Sequence, residues 1–494
     1  MRVLQGYVAV LVALALPASG GAVGSVGSVR PGTLSVVAGL IGGSRACADG
    51  LPAPGPATSA CLGGPTAVAA DQAGNVYVAD GAGNVVVKIT ASGVLSIVAG
   101  TGRQGAPTPG SATQSRLDDP SGVAVDAAGD VYIADQGNDV VEKVTPSGVL
   151  SIVAGTGRQG APRPGPATAS DLGRPVAIAI GPTGDLYIAD QLNREVEQVT
   201  PRGVLSVVAG TGRTGTPVPG SATRSPLGWL AGVAVSPAGN LYIADLEPSA
   251  VIEKVTAAGR LSIVAGIPRH HGQVTPGPAR RSELGGPVAV AVNAAGELYI
   301  ADLPCDCVEQ VTPGGVISVI AGSVAVTRPG ADQAQLNTFV YPQGLALGPG
   351  GDLCIASTQA GVILRLADAP RAHAQGPPTI AASPLTVHGS EITQTLACVS
   401  GTARCVLAAT LRTASGGRRA LILAHRQLTI PVGSFRTLTL TPSRTGKRLL
   451  QARRLLRTSL TITARRPTRL TRPIQGILSP APLRRIVLLR SGTA

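Results

Sequence analysis

The residues best spaced to do chemistry are five aspartates. Asp80, Asp135, Asp190 and Asp245 follow one another at intervals of 55 residues, and Asp302 comes 57 later. Carboxylates at one position of a repeat could gather in a catalytic ring, which suits general acid–base work. Symmetry argues against that use, because a catalytic centre breaks the repeat at its own position. The five carboxylates are therefore expected to serve the frame by binding loop amides. Other reactive types are scarce. His270 and His271 share one loop, while His373, His388 and His425 lie beyond the repeats, so three convergent imidazoles cannot be assembled. No G-x-S-x-G elbow, P-loop or dinucleotide fingerprint sits on a suitable strand–helix junction. Cys305 and Cys307 could suggest a metal or redox site, but they lack a second ligand cluster. A non-catalytic chain with no cofactor and no metal is the expectation.

The elements that carry the aspartates are strands. GNVYVAD (74–80), GDVYIAD (129–135), GDLYIAD (184–190), GNLYIAD (239–245) and GELYIAD (296–302) are followed by a degraded GDLCIAS (351–357). Each copy holds four short apolar or alternating runs. In the second copy they are SGVAVD (121–126), DVYIAD (130–135), DVVEKVT (139–145) and GVLSIVAG (148–155), with AAG and PSG as tight hairpin turns. Four antiparallel strands repeated about an axis make a propeller blade. Copy six stops after its third strand, and an orphan TLSVVAG (33–39) at the other end of the chain supplies the fourth, removing the open edge. The fold class is all-β: a six-bladed propeller over 30–368 closed by an N-terminal strand.

These residues resemble the NHL-repeat propellers, whose pattern is P-x-G-V-A-V-D, G-N-x-Y-I-A-D and x-x-N-x-V-x-K. The linkers, such as AGTGRQGAPTPGSATQSRLDDP (99–120), look like those of secreted bacterial NHL proteins and of some receptor-kinase sensor domains. The resemblance covers about residues 30–370. It implies the fold, and a fold of this kind hosts many functions. The family's linker carries an acidic Gly-Asp-Gly-Gly-Pro-Ala-Thr stretch, whereas here the matching positions read TPGSAT and RPGPAT without the Asp.

The ends and the composition add context. Arg2, an apolar run (3–16) and small residues (17–24) read as a signal peptide over 1–22, and hence a secreted, extracellular chain. No later segment could span a membrane. Seven cysteines fit an oxidising compartment, with Cys47–Cys61 and Cys398–Cys405 as local disulfides. Cys354 replaces the Tyr of the second-strand motif and is expected to be a buried, inert thiol. After a linker (369–380), residues 381–478 read as strands at 391–398, 405–412, 420–430, 435–441 and 458–464 with one helical turn (443–455). They look like the small Ig-like β-sandwich modules of secreted actinobacterial proteins, and 479–494 reads as loose. Residues 371–494 hold 20 of the 41 basic residues and a single acid, Glu391. Such a module could associate with an anionic cell envelope. Nucleic acid is not expected, because Phe435 is the tail's only aromatic.

Binding is expected on the face where second-to-third-strand loops and inter-blade connections of about 20 residues emerge. The position entering each first strand varies as Gly64, Asp119, Arg174, Trp229, Gly286 and Tyr341, near the mouth of the channel. Trp229 and Tyr341 beside Arg174 and Asp119 suit a protein, peptide or glycan partner, or else they plug the channel. Arg103, Arg158 and Arg213 recur in TGR and could hold an anionic polymer, though such an Arg more often caps its own loop. The reading is a secreted binding or scaffold protein, with a propeller-type hydrolase or lyase as the alternative.

Overall fold

The computed structural model describes residues 34–40, 52–322 and 341–367, and C-terminal strands between 379 and 490. The signal-peptide segment, Cys47 and the helical turn at 443–455 lie outside them.

Six antiparallel sheets form the blades. In the second blade, Pro120–Val125, Val131–Asp135, Val140–Val144 and Val149–Ala154 pair in sequence order. Alternation explains the packing. Val131 and Ile133 on the second strand and Val144 on the third face blade one, whereas Ala134 and Val141 face blade three. Each seam between blades is thus one apolar cluster shared by two sheets. The ring closes as the sequence indicates. Leu34–Ala38 pairs antiparallel with Val362–Leu366, and the inner strand Pro342–Leu347 packs against Pro65–Ala70 of blade one. Thr358 Oγ1 donates to the Pro65 carbonyl across that seam at 2.7 Å.

Ala38 is fully buried in the seam between blades six and one. Ala38→Asp would place an unpaired charge there, and we expect a loss of about 3 kcal/mol or more, read from the urea midpoint. A midpoint equal to wild type would mean that this strand does not close the ring.

Near the axis the blades converge, and small residues make room. A Cβ on Gly232 would sit 2.8 Å from the Val288 carbonyl oxygen, and one on Gly344 would sit 2.7 Å from the Ala67 Cα. The inter-blade connections differ from the loops expected. Gly55–Pro56, Gly110–Ser111, Gly165–Pro166, Gly220–Ser221 and Gly277–Pro278 each add a two-residue strand to the outer edge of their own blade. Beside it, Ala112 N–H donates to the Gly148 carbonyl at 2.9 Å. So each linker descends along the blade edge to the hairpin-turn face, then returns, and covers an edge that would otherwise be open.

The chain divides into two compact units, 31–371 and 1–30 with 372–494. In the second unit, two four-stranded sheets pair in the orders Thr379–Ala382, Glu391–Ser400, Thr386–His388 with Ser434–Leu440, and Ile422–Ile430, Cys405–Thr413, Leu455–Arg465, Leu483–Arg490. Leu483–Arg490 pairs along Leu455–Ile462, so the stretch read as loose is a strand in large part. Its LRRIVLLR is a β-branched apolar run of the kind that completes a sheet. Cys398 and Cys405 lie on two of these strands, and their side chains fall outside the described residues.

Candidate functional site: a cysteine pair over a buried carboxyl

The five repeat aspartates are fully buried or nearly so, and their carboxylates hold the loop amides that lead into the first strand of their own blade. Asp80 accepts from the amides of Gly63 and Gly64 at 2.8 and 2.6 Å, and Asp302 from Gly285 and Gly286 at 2.6 and 2.9 Å. Asp135, Asp190 and Asp245 accept from Asp118, Gly173 and Gly228 at 2.8 to 2.9 Å.

The variable mouth positions are held from below. The backbone amides of Asp119, Arg174 and Tyr341 donate to Asn84 Oδ1, Asp139 Oδ1 and Asp306 Oδ1 at 3.0, 2.7 and 2.9 Å. All three have positive φ. Gln136, which sequence reading passed over, joins two of them: it donates to Asp119 Oδ2 and accepts from Arg174 Nε. Trp229 and Tyr341 are 44% and 40% exposed, so neither ring is buried as a plug. Arg103, Arg158 and Arg213 are exposed, and among the described residues no hydrogen bond engages their guanidiniums. The loop-capping role is absent.

What the sequence did not disclose is a second acid beside four of the aspartates. Glu142, Glu197, Glu253 and Glu309 sit on the third strands of blades two to five, each fully buried. Their strand neighbours Val144, Val199, Val255 and Val311 pack against the preceding blade, which puts each glutamate in a seam. The Glu142 and Glu253 carboxyls lie against Asp135 and Asp245, to which their protonated form can donate, whereas neither carboxyl oxygen of Glu197 has a hydrogen-bond partner among the described residues. Burial, then repulsion from the aspartate alongside, pushes all four carboxyls well above the usual range. Burial also lifts Asp135 and Asp245 to about 6 and Asp190 to about 7. Burial in the seam thus favours the neutral, protonated form of each glutamate. Blade one has Val87 at this position and blade six Leu364, so the two seams flanking blade six are apolar.

In blade five the buried glutamate meets sulfur. Cys305 and Cys307 form a disulfide. Glu309 Oε1 lies 3.0 Å from Cys307 Sγ and 3.5 Å from Cys305 Sγ. Cys307 is 1% exposed, whereas Cys305 is half-buried on the loop face next to exposed Pro304. Tyr341 lies close by, its amide bonded to Asp306 between the two cysteines. The three ligand atoms fall within 4.8 Å of one another. The expectation of a non-catalytic chain, drawn from the scarce histidines, the missing motifs and the symmetric aspartates, also took Cys305 and Cys307 to have no further ligand beside them. Glu309 is that ligand, and the expectation is corrected. A spacing of two along a strand was the available signal, because residues two apart share a face.

Cys61 is disulfide-bonded, and its expected partner Cys47 lies outside the described residues. Cys354 is a free thiol whose burial raises its pKa. Among the described residues no helix is long and apolar enough to cross a membrane.

Comparison with known proteins bears on the repeat. The family model described as the teneurin NHL domain matches residues 39–216, 96–303 and 167–338 in overlapping registers. Mouse (Mus musculus) Teneurin-3 is 30% identical over 239 residues, which is 42% of this chain and 9% of that protein. The chain thus spans under a tenth of the length of the curated relatives it matches. Among solved structures, an auxiliary nutrient binding protein from Bacteroides ovatus aligns with TM-score 0.49 at 15% identity, over 68% of this chain and 76% of that one. A virginiamycin B lyase from Staphylococcus aureus aligns with TM-score 0.37 at 16% identity, over 60% of this chain and 78% of that one.

Proposed function

The chain belongs to the teneurin NHL domain family, and from that frame we propose that it is a catalytic propeller whose centre is the Cys305–Cys307–Glu309 cluster of blade five. The reaction class its chemistry supports is thiol–disulfide exchange. One observation carries the reading: a buried carboxyl, its pKa raised by that burial, stands 3.0 Å from the inner sulfur of a disulfide whose outer sulfur reaches the surface. A bond that closes three residues adds little as a staple. The loop-entropy relation gives it about 1.5 kcal/mol, half the value of a 15-residue loop.

A substrate thiolate attacks Cys305 Sγ, the accessible sulfur, and the Cys305–Cys307 bond breaks. Cys307 Sγ leaves with the bonding pair and takes the proton from Glu309. The substrate's second thiolate then attacks its own sulfur in the mixed disulfide and releases Cys305. The substrate dithiol is oxidised to a disulfide and the protein pair is reduced. A low-molecular-weight disulfide reoxidises the pair by the same steps in reverse. Asp119, Arg174, Trp229 and Tyr341, on the same loop face, are the residues from which a protein, peptide or glycan substrate would be gripped. Secretion, read from residues 1–22, fits the oxidising setting such a bond requires. The two C-terminal sheets fit a β-sandwich module whose basic charge favours an anionic envelope.

A second reading follows from the same three atoms. The reduced cluster offers two thiolates and a carboxylate, a set suited to zinc with one position left open, as a propeller hydrolase or lyase would use.

The test supplies the full chain with a dithiol peptide and oxidised glutathione. Multiple turnovers are expected, and a peptide with a single cysteine, which has no second thiolate to release it, should be trapped on Cys305 of the oxidised chain. No turnover and no trapped adduct would overturn the exchange reading. Zinc bound at one equivalent by the reduced chain, with ester or lactone hydrolysis, would install the second.

A further inference from the structure

On the hairpin-turn face, between blades four and five, lies an open cavity of about 510 Å³. Comparison with the other seams shows what is unusual there. In blade one, Lys88 stands over the Tyr77 ring, whose hydroxyl donates to Asp71. In blade two, Lys143 pairs with Asp130 at 2.5 Å and lies over Tyr132, which donates to Asp126. Blade four keeps the cation and the ring, with Lys254 Nζ 5.7 Å from the Tyr242 centroid. But the positions of the two acids are filled by Ser236 and Asn240. No carboxylate among the described residues pairs with Lys254.

A second change falls at the same place. The residue after the buried alanine of the linker is Thr58, Thr113, Thr168 and Thr223 in four blades, and in blade five it is Arg280. Arg280 is exposed and lines the cavity with Lys254. Two independent substitutions thus move one seam in the same electrostatic direction, by removing carboxylates and by adding a guanidinium. The nearest acid on the blade-five side, Glu297, is occupied: it accepts from Asn293 Nδ2 at 2.7 Å and from the Tyr299 hydroxyl. The walls add apolar surface from Pro237, Ala238 and Pro313 and hydroxyls from Ser236 and Ser262. The cavity is large enough for a small organic ligand, and its lining mixes polar and apolar groups around the two cations.

We propose that this cavity binds the oxyanion of a small organic ligand, a carboxylate or a phosphate group, between Lys254 and Arg280. The guanidinium supplies a planar fork and the ammonium a point charge. The ligand's carbon skeleton lies along the exposed rings of Pro237 and Pro313. This site is separate from the cysteine pair, which is on the opposite face.

The experiment titrates the full chain at constant ionic strength with inorganic phosphate and, separately, with propionate. Saturable binding of one equivalent is expected for at least one of them. Arg280→Thr restores the residue used by the other blades and should fold normally. It and Lys254→Gln should each weaken binding about tenfold or more, the cost of one charge-assisted contact. Lys143→Gln, at a seam where the lysine has its own acid, should leave the affinity unchanged. Phosphate binding without propionate binding assigns the phosphate group, and the reverse assigns the carboxylate. Absence of saturable binding for both probes overturns the proposal, as does an Arg280→Thr protein that binds as tightly as wild type.

Discussion

The propeller is expected to lose stability steeply as pH rises from about 5 to about 8, the reverse of a protein held by ionised salt bridges. Four buried glutamates have folded-state pKa values well above the ordinary 4.5, with Asp135, Asp190 and Asp245 raised to about 6, 7 and 6. A raised folded pKa means that folding takes up a proton. The stability this provides is complete below the unfolded pKa and is lost as pH climbs through the folded one. Each proton taken up contributes a slope of at most about 1.4 kcal/mol per pH unit, so one proton at each of the four seams would give roughly 5–6 kcal/mol per unit. Neighbouring groups modulate the slope. Glu195 adds repulsion at the Asp190–Glu197 seam, and His271 favours ionised Asp302. Trp229 is the only tryptophan and lies in the propeller, so its fluorescence reports this unit within the full chain. Glu197→Gln matches the protonated acid in shape but cannot ionise. It should leave the urea midpoint unchanged near pH 5 and raise stability by about 1–3 kcal/mol near pH 8. A midpoint flat or rising over this range would mean that the seams hold ionised, counter-charged carboxylates.

That behaviour was hidden in the sequence for a definite reason. The third strands read VVEKV, EVEQV, VIEKV and CVEQV, where a glutamate beside Lys or Gln passes for the solvent face of an alternating strand. In a propeller the middle strands have two buried faces, one toward each neighbouring blade, so alternation does not distinguish core from water. The frame was legible because it repeats: the strands, the aspartates and the orphan TLSVVAG are fixed by period and by count. The linkers were misread as loops because Gly110 and Gly165, at φ of 130° and 137°, enter a two-residue strand that no apolar pattern marks. The departures from the repeat carry the chemistry. Cys305, Cys307, Arg280 and Ser236 each stand where another blade has an ordinary residue, and only the fold shows which departures meet.

Glu309→Gln should therefore be the most damaging conservative change for exchange. The amide keeps the volume and the contact with Cys307 but has no proton of suitable acidity to give. When the disulfide opens, Cys307 Sγ leaves as a thiolate in a seam whose nearest charge would be Asp302, and burial without a proton opposes it. General acid catalysis is worth about a hundredfold or more, so single-turnover reduction of the pair near pH 7 should slow by that factor. The pH profile separates proton donation from mere packing. In wild type the rate should fall as pH rises and Glu309 ionises, while Glu309→Gln should lack that limb and gain only with the thiolate fraction of the attacking dithiol. Glu197→Gln, the same change in a seam without sulfur, should leave the rate untouched. If Glu309→Gln and wild type share one profile, the carboxyl is a seam acid like the other three and the proton comes from solvent. If the variant is slow and its high-pH limb has vanished, the blade that broke the repeat did so to place an acid under a disulfide.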